Sequence, residues 1–167
     1  MKKIHLYILS KPIYGHQLPM NTDQHNFALK ILLAEDSHYD RYFFSKALKE
    51  ISIPTHITTV NDGIQLMDYL AENSDHLPDF LFLDLNMPGK NGFECLSEIK
   101  QDINLSDLPV IIFTTSFPSD KNYEWCMMNM LYKIGAHDYI CKTNDLAELK
   151  QVIHRSLTMG IDDLSIK

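Results

Sequence analysis

Three carboxylates, a hydroxyl and an amine in this chain are the residue types that phosphoryl chemistry uses, and each stands directly after a short apolar run. Residues 31–34 run into Glu35 and Asp36, 80–83 into Asp84, 110–113 into Thr114, and 139–141 into Lys142. Apolar runs of this length bounded by polar residues have the pattern of parallel strands buried on both faces. In an open α/β sheet, ligands bind just beyond the carboxyl ends of the strands. The five side chains should therefore converge at one edge of one sheet, as a divalent-metal site beside a phosphate acceptor.

Asp84 is the candidate acceptor. Asn86-Met87-Pro88-Gly89 follows it, so it projects from an irregular loop, and an aspartate can act as a nucleophile and form an acyl phosphate. The incoming group brings about two negative charges. Glu35 and Asp36 would repel it unless a hard dication lay between them and Asp84. Mg²⁺ takes near-octahedral oxygen ligands, commonly a few protein groups completed by water and phosphate oxygens. Asp36, Asp84 and the backbone carbonyl of Asn86 would supply that shell, with Glu35 bound directly or through water. Lys142 would neutralise a phosphate oxygen as a point charge, and the Thr114 hydroxyl would donate to another.

The elements that must position these groups alternate regularly. Residues 1–27 hold Pro12, Gly15, Pro19, Asn21 and Asp23 with no sustained period, and are expected to be a poorly ordered extension. Strands are expected at 30–35, 56–60, 79–84, 109–114 and 138–142. Helices are expected at 38–51, after the Asn61-Asp62-Gly63 turn, around Phe93, Leu96 and Ile99, at 120–134, and from Leu146 to Leu157. Ser37 or Asp36 should cap the first helix, and Gly135 should end the fourth. Strict alternation implies right-handed crossovers and a flavodoxin-like, doubly wound five-stranded parallel sheet in the order 2-1-3-4-5. The domain is expected at 28–158. Residues 159–167 are expected to be a short C-terminal tail, with no second domain expected after the last helix.

The same residues resemble the receiver domain of bacterial two-component response regulators, over residues 28 to 158. The resemblance is carried by Glu35-Asp36, by Leu83-Asp84-Leu85-Asn86-Met87-Pro88-Gly89-Lys90-Asn91-Gly92, by the strand end at 109–115, and by Gly135-Ala136 with Tyr139-Ile140-Cys141-Lys142. It implies that Asp84 accepts phosphate from a histidine kinase, that the acidic pair binds Mg²⁺, and that Lys142 bonds the phosphoryl group. It also implies that Thr114 and Tyr139 rearrange on phosphorylation. The chain would then be a stand-alone cytoplasmic regulator that catalyses only its own phosphoryl transfer and dephosphorylation. It would signal by protein contact to an effector or a histidine phosphotransfer protein, with a homodimer through helix four, strand five and helix five as a further outcome. Two departures stand out. Thr143 follows Lys142 where the family usually has a cis proline. A cis bond before a non-proline residue costs about 3 kcal/mol, so a trans bond is expected. The spacing from Thr114 to Lys142 is also longer than usual, and the extra residues fall within 117–133.

Taken singly, these residues have ordinary readings: Asp84 as a helix cap, Lys142 as a surface lysine, Tyr139 as core. Their convergence is what reverses those odds. A non-phosphorylated pseudo-receiver remains an alternative. A haloacid-dehalogenase-type phosphatase, also built on an aspartyl nucleophile, needs Asp-x-Asp and here would find Asn86. A flavodoxin needs a Ser/Thr-rich phosphate loop where this chain has Glu35-Asp36. The eight histidines lack metal-ligand spacing and are expected at the surface. Cys95, Cys126 and Cys141 also lack it and are expected as reduced thiols, with Cys141 as inert strand packing. The stretch around Trp125, Met127, Met128, Met130 and Leu131 holds more large apolar residues than one helix face needs, and is a candidate partner surface.

The bulk numbers agree. A chain of 167 residues is the size of one domain, and 45% hydrophobic content fills one core. A formal charge of −7 argues against nucleic acid, which wants a basic face. No apolar run approaches the ~20 residues of a membrane span. Residues 4–9 are too short for a signal-peptide core, and Ser10-Lys11-Pro12 breaks the run without a cleavage site.

Overall fold

The computed structural model describes residues 28–115 and 121–165, with the side chains of 121–123 and 162–165 left aside; the expected extension at 1–27 lies outside the described residues. Five strands are formed: β1 (Leu29–Ala34), β2 (Thr55–Val60), β3 (Phe80–Leu83), β4 (Val110–Thr114) and β5 (Asp138–Cys141). Between and after them run α1 (His38–Lys49), α2 (Gly63–Glu72), α3 (Gly92–Gln101), α4 (Lys121–Ile134) and α5 (Leu146–Ser165). The sheet is parallel throughout, in the order β2-β1-β3-β4-β5. This is the flavodoxin-like doubly wound topology expected from the alternation.

The period of two along each strand builds two cores. Leu32, Ala34, Leu81, Leu83, Val110, Ile112 and Tyr139 face one layer, where they meet Leu66 and Leu70 of α2, Leu96 and Ile99 of α3 and Leu131 of α4. Ile31, Leu33, Phe80, Phe82, Ile111, Phe113 and Ile140 face the other, against Phe44 and Leu48 of α1 and Leu149, Ile153 and Leu157 of α5. Phe44 meets Phe82 and Phe113 edge-on at 4.7 and 5.1 Å between ring centroids, a geometry favoured by the ring quadrupoles. β1, β3 and β4 are covered on both faces, so their ends are fixed by packing from two sides.

Helix ends follow local chemistry. Ser37 caps α1, its hydroxyl accepting from the Asp40 N–H, and Asp62 caps α2 in the same way. Asn91 and Glu94 form a reciprocal capping box at α3. α4 ends at Gly135, which takes φ 119°, and the Gly135 N–H returns to the Leu131 carbonyl. A 3₁₀ turn at Ser74–His76, absent from the sequence reading, joins α2 to β3. The C-terminal tail expected at 159–167 needs correction: α5 runs on to Ser165. Gly160 lets this extension lie on the core, since a Cβ there would fall 2.3 Å from the Phe80 ring. The Lys142–Thr143 bond is trans, as expected.

Candidate phosphoryl-acceptor site

The carboxyl ends of β1, β3, β4 and β5 bring Glu35, Asp36, Asp84, Thr114 and Lys142 to one edge of the sheet. Parallel pairing sets the alignment. Ala34 pairs with Leu83, so Glu35 and Asp84 leave the sheet side by side, and the Asp84 N–H donates to the Ala34 carbonyl at 3.0 Å. Thr114 pairs with Cys141, and the Lys142 N–H returns to the Thr114 carbonyl at 2.8 Å. Gly92 lets the β3–α3 loop fold back onto Asp84. A Cβ at that position would lie 2.2 Å from the Asp84 carbonyl oxygen, so only glycine permits this approach.

One carboxylate oxygen from each of Glu35, Asp36 and Asp84 lies within 4.8 Å of the others. Glu35 is fully buried, Asp84 is 3% exposed, and Asp36 faces solvent. Glu35 Oε1 accepts from the Ser37 N–H at 3.0 Å, whereas Glu35 Oε2 is buried without a hydrogen-bond partner. Lys142 Nζ lies 2.6 Å from that oxygen, so the ammonium is its ion-pair partner. Three carboxylates gathered within 4.8 Å of one another around a single ammonium suit a hard divalent cation. Asp84 Oδ1 accepts from the Asn86 N–H at 3.2 Å, and Asp84 Oδ2 accepts from Lys142 Nζ at 3.0 Å. Lys142 also donates to Asp40 Oδ2 at 3.1 Å and lies 5.4 Å above the centre of the Phe113 ring. Asp40, on the first turn of α1, is a contact the sequence reading missed.

The charge balance governs protonation. Burial pushes the Glu35 carboxyl up to about 7, against the opposing pull of Lys142 and with added repulsion from Asp84. Burial alone would lower Lys142, but its pairing with Glu35 and Asp84 overrides that and holds it above its ordinary value. Both directions are consistent, because carboxylates outnumber the one ammonium.

Thr114 is fully buried at the end of β4, and Asn86 Nδ2 approaches its hydroxyl at 3.5 Å. Tyr139 lies inward, 8% exposed; its hydroxyl is buried without a partner, and burial pushes it up to about 12. Of the remaining expectations, His38, His56, His76 and His154 are exposed, while His137 is half-buried. Cys95 is buried, but Cys141 corrects its expected packing role: β5 is the sheet's edge strand, and its last residue faces solvent. On α4, Trp125 is 67% exposed, and Met130 and Tyr132 are each 42% exposed, while Leu131 anchors the helix in the core. The linker residues 116–120, part of the longer segment, lie outside the described residues. No described helix is long and apolar enough to cross a membrane.

Comparison with known proteins gives the same answer. The family model of the response regulator receiver domain matches residues 31–154. Response regulator Rcp1 of Synechocystis sp. (strain ATCC 27184 / PCC 6803 / Kazusa) is 31% identical over 136 residues, covering 79% of this chain and 88% of that protein. The crystal structure of the phosphorylated cyanobacterial phytochrome response regulator RcpA superposes with a TM-score of 0.63 at 34% identity, covering 76% of this chain and 89% of that one. The Mn²⁺-bound form of Rcp1 superposes with a TM-score of 0.63 at 30% identity, covering 76% and 90%. With its sheet order, its strand-end residues and these matches in agreement, the chain belongs to the response regulator receiver domain family.

Proposed function

We propose that this protein is a stand-alone response regulator whose Asp84 accepts a phosphoryl group from the phosphohistidine of a histidine kinase in a two-component phosphorelay. One observation carries the reading: Asp84 is held 3.0 Å from Lys142 Nζ while its carboxylate lies within 4.8 Å of those of Glu35 and Asp36. Nucleophile, counter-charge and acidic pair occupy one pocket. The Asp84 carboxylate attacks phosphorus, the bond from phosphorus to the donor imidazole breaks, and its electron pair stays on that nitrogen, which takes a proton from solvent. Lys142 donates to a phosphoryl oxygen as the charge transfers, and the Thr114 hydroxyl donates to another.

Glu35, Asp36, Asp84 and the backbone carbonyl of Asn86 would hold Mg²⁺, which when bound supplies the positive charge that offsets the pocket and the incoming group. The Mn²⁺-bound form of the relative Rcp1 supports a divalent ion here. Thr114 and Tyr139 would form the switch: the Thr114 hydroxyl moves toward the phosphoryl group and vacates space into which the Tyr139 ring, already only 8% exposed without phosphate, turns further inward. The protein acts in the cytoplasm, on no substrate but its own aspartate, and passes its signal to an effector or a histidine phosphotransfer protein. Residues 117–134 with exposed parts of 144–157 form the output or homodimer face, and exposed Trp125 supports that placement. The relation to RcpA makes a phytochrome-type kinase the first donor to try.

The test is phosphorylation with Mg²⁺ and a small phosphodonor, read by intact mass. One phosphoryl group should be added to the wild type and none to Asp84→Asn, and peptide mapping should place it on Asp84. A wild type that takes no phosphoryl group, even from a competent kinase, would make the chain a pseudo-receiver.

A further inference from the structure

We infer that Asp40 is a positioning residue for Lys142, the anion that keeps the ammonium beside Asp84 when a divalent cation claims the other carboxylates; this rests on the phosphoryl-acceptor reading above. The Lys142 ammonium has three N–H donors and faces three carboxylates: Glu35 Oε2 at 2.6 Å, Asp84 Oδ2 at 3.0 Å and Asp40 Oδ2 at 3.1 Å. Two of the three, Glu35 and Asp84, belong to the group whose oxygens gather within 4.8 Å, together with Asp36. Asp40 stands outside that group. A dication and the ammonium would compete for Glu35 and Asp84 and repel each other at short range. The ammonium then has one anion of its own, on a different element.

Asp40 is well placed to hold it. The residue lies on the first turn of α1, where the Ser37 hydroxyl accepts from its backbone N–H at 3.3 Å. The next residue, Arg41, donates through Nη1 to the backbone carbonyls of Glu35 at 2.7 Å and Asp36 at 2.8 Å. A single turn of helix thus fixes the backbone of the acidic pair with Arg41 and the amine with Asp40. Lys142 reaches this turn from 102 positions away, on a flexible four-carbon stem whose ordering costs side-chain entropy. Its side chain is 10% exposed and that of Asp40 29%, so solvent screens the pair only in part. Without Asp40, cation binding would leave the ammonium with a weakened claim on every remaining partner, and the amine would leave the pocket. With Asp40, one N–H stays paired throughout, and the other two are free to turn to a phosphoryl oxygen.

The test is a double-mutant cycle on Mg²⁺ affinity, measured calorimetrically for the wild type, Asp40→Asn, Lys142→Met and the double variant. Asp40→Asn should weaken Mg²⁺ binding about fivefold while Lys142 is present and less than about twofold in the Lys142→Met background. Phosphoryl uptake from a small donor should slow by a similar factor in Asp40→Asn, and Asp40→Glu should recover part of the loss. Equal weakening in both backgrounds would make Asp40 an ordinary nearby charge and overturn the inference; so would no weakening at all. The ¹⁵N-edited ammonium signal of Lys142 decides the point without altering Lys142. It should persist in the Mg²⁺-loaded wild type and vanish in Asp40→Asn, and its persistence in that variant would overturn the assignment. A wild type that binds no Mg²⁺ and takes no phosphoryl group would remove the receiver reading and this inference together. A competent wild type with an additive cycle would remove only the role of Asp40.

Discussion

Two carboxylate centres lie at opposite ends of the sheet, and they differ in how many donors each possesses. At the amino end of β5, the Asp138 carboxylate is surrounded: its Oδ1 accepts from the Tyr139 N–H at 2.8 Å and from the Tyr132 hydroxyl at 3.4 Å. Its Oδ2 accepts from the buried Ser156 hydroxyl and lies 3.7 Å from the Arg155 guanidinium. One acid ties α4, β5 and α5 together, and every group is answered. At the carboxyl ends of β1 and β3 the balance is reversed. Glu35, Asp84 and Asp40 share one ammonium, Asp36 stands beside them, and one buried oxygen has no hydrogen bond. A buried acid rich in donors holds structure together. A buried cluster poor in donors is held in place by the packing around it and gains from a ligand that supplies positive charge.

Removing the acid should therefore destabilise the protein at the first centre and not at the second. Asp138→Ala strands the buried Ser156 hydroxyl and the Tyr139 N–H, and should cost about 2–3 kcal/mol in denaturant unfolding. Asp84→Asn in the metal-free protein removes a charge from a surplus and keeps the shape. It should raise stability by about 1 kcal/mol or leave it unchanged. A large loss in Asp84→Asn would show that the pocket is satisfied as it stands, and the contrast would fail.

The pH dependence sharpens the same point. Glu35 is pushed up to about 7 by burial, so the folded protein holds a proton that the unfolded chain releases near its ordinary 4.5. The stability this contributes is full below about pH 4.5 and is lost as pH rises through about 7. Metal-free protein should lose stability across that window, and Glu35→Gln should flatten the curve. Thermal unfolding midpoints at several pH values would show it; an unchanged slope in Glu35→Gln would place the titration elsewhere.

The smallest effect is expected at Tyr139, whose hydroxyl is, among the described residues, a buried side-chain atom without a hydrogen-bond partner. Tyr139→Phe should hold or raise stability by up to about 1 kcal/mol. A clear loss would mean that the hydroxyl has a partner in solution.

What could be foreseen depended on where each signal lies along the chain. The strand-end part of the donor-poor centre was legible because Glu35-Asp36, Asp84 and Lys142 follow apolar runs, and parallel strands force such positions to one edge. The cap at Ser37 and the stop at Gly135 were legible because their chemistry is local. Asp40 was not: in sequence it is an ordinary first-turn acid, and its partner lies 102 positions away. Asp138 was equally silent, since its side-chain donors come from α4 and α5 and no spacing announces them. The exposure of Cys141 and the length of α5 depended on which strand forms the edge and on a close approach of Gly160 to Phe80, both set by tertiary packing.

The pocket at the ends of β1 and β3 is short of positive charge, and a divalent cation would complete it. The most direct measurement is the thermal unfolding midpoint as Mg²⁺ is titrated at about pH 8, where Glu35 is ionised and free to ligate. The midpoint of the wild type should climb steadily with the logarithm of Mg²⁺ concentration, while Asp36→Asn responds weakly and Asp84→Asn scarcely at all. A wild-type midpoint indifferent to Mg²⁺, or an Asp84→Asn variant that climbs as the wild type does, would contradict the account.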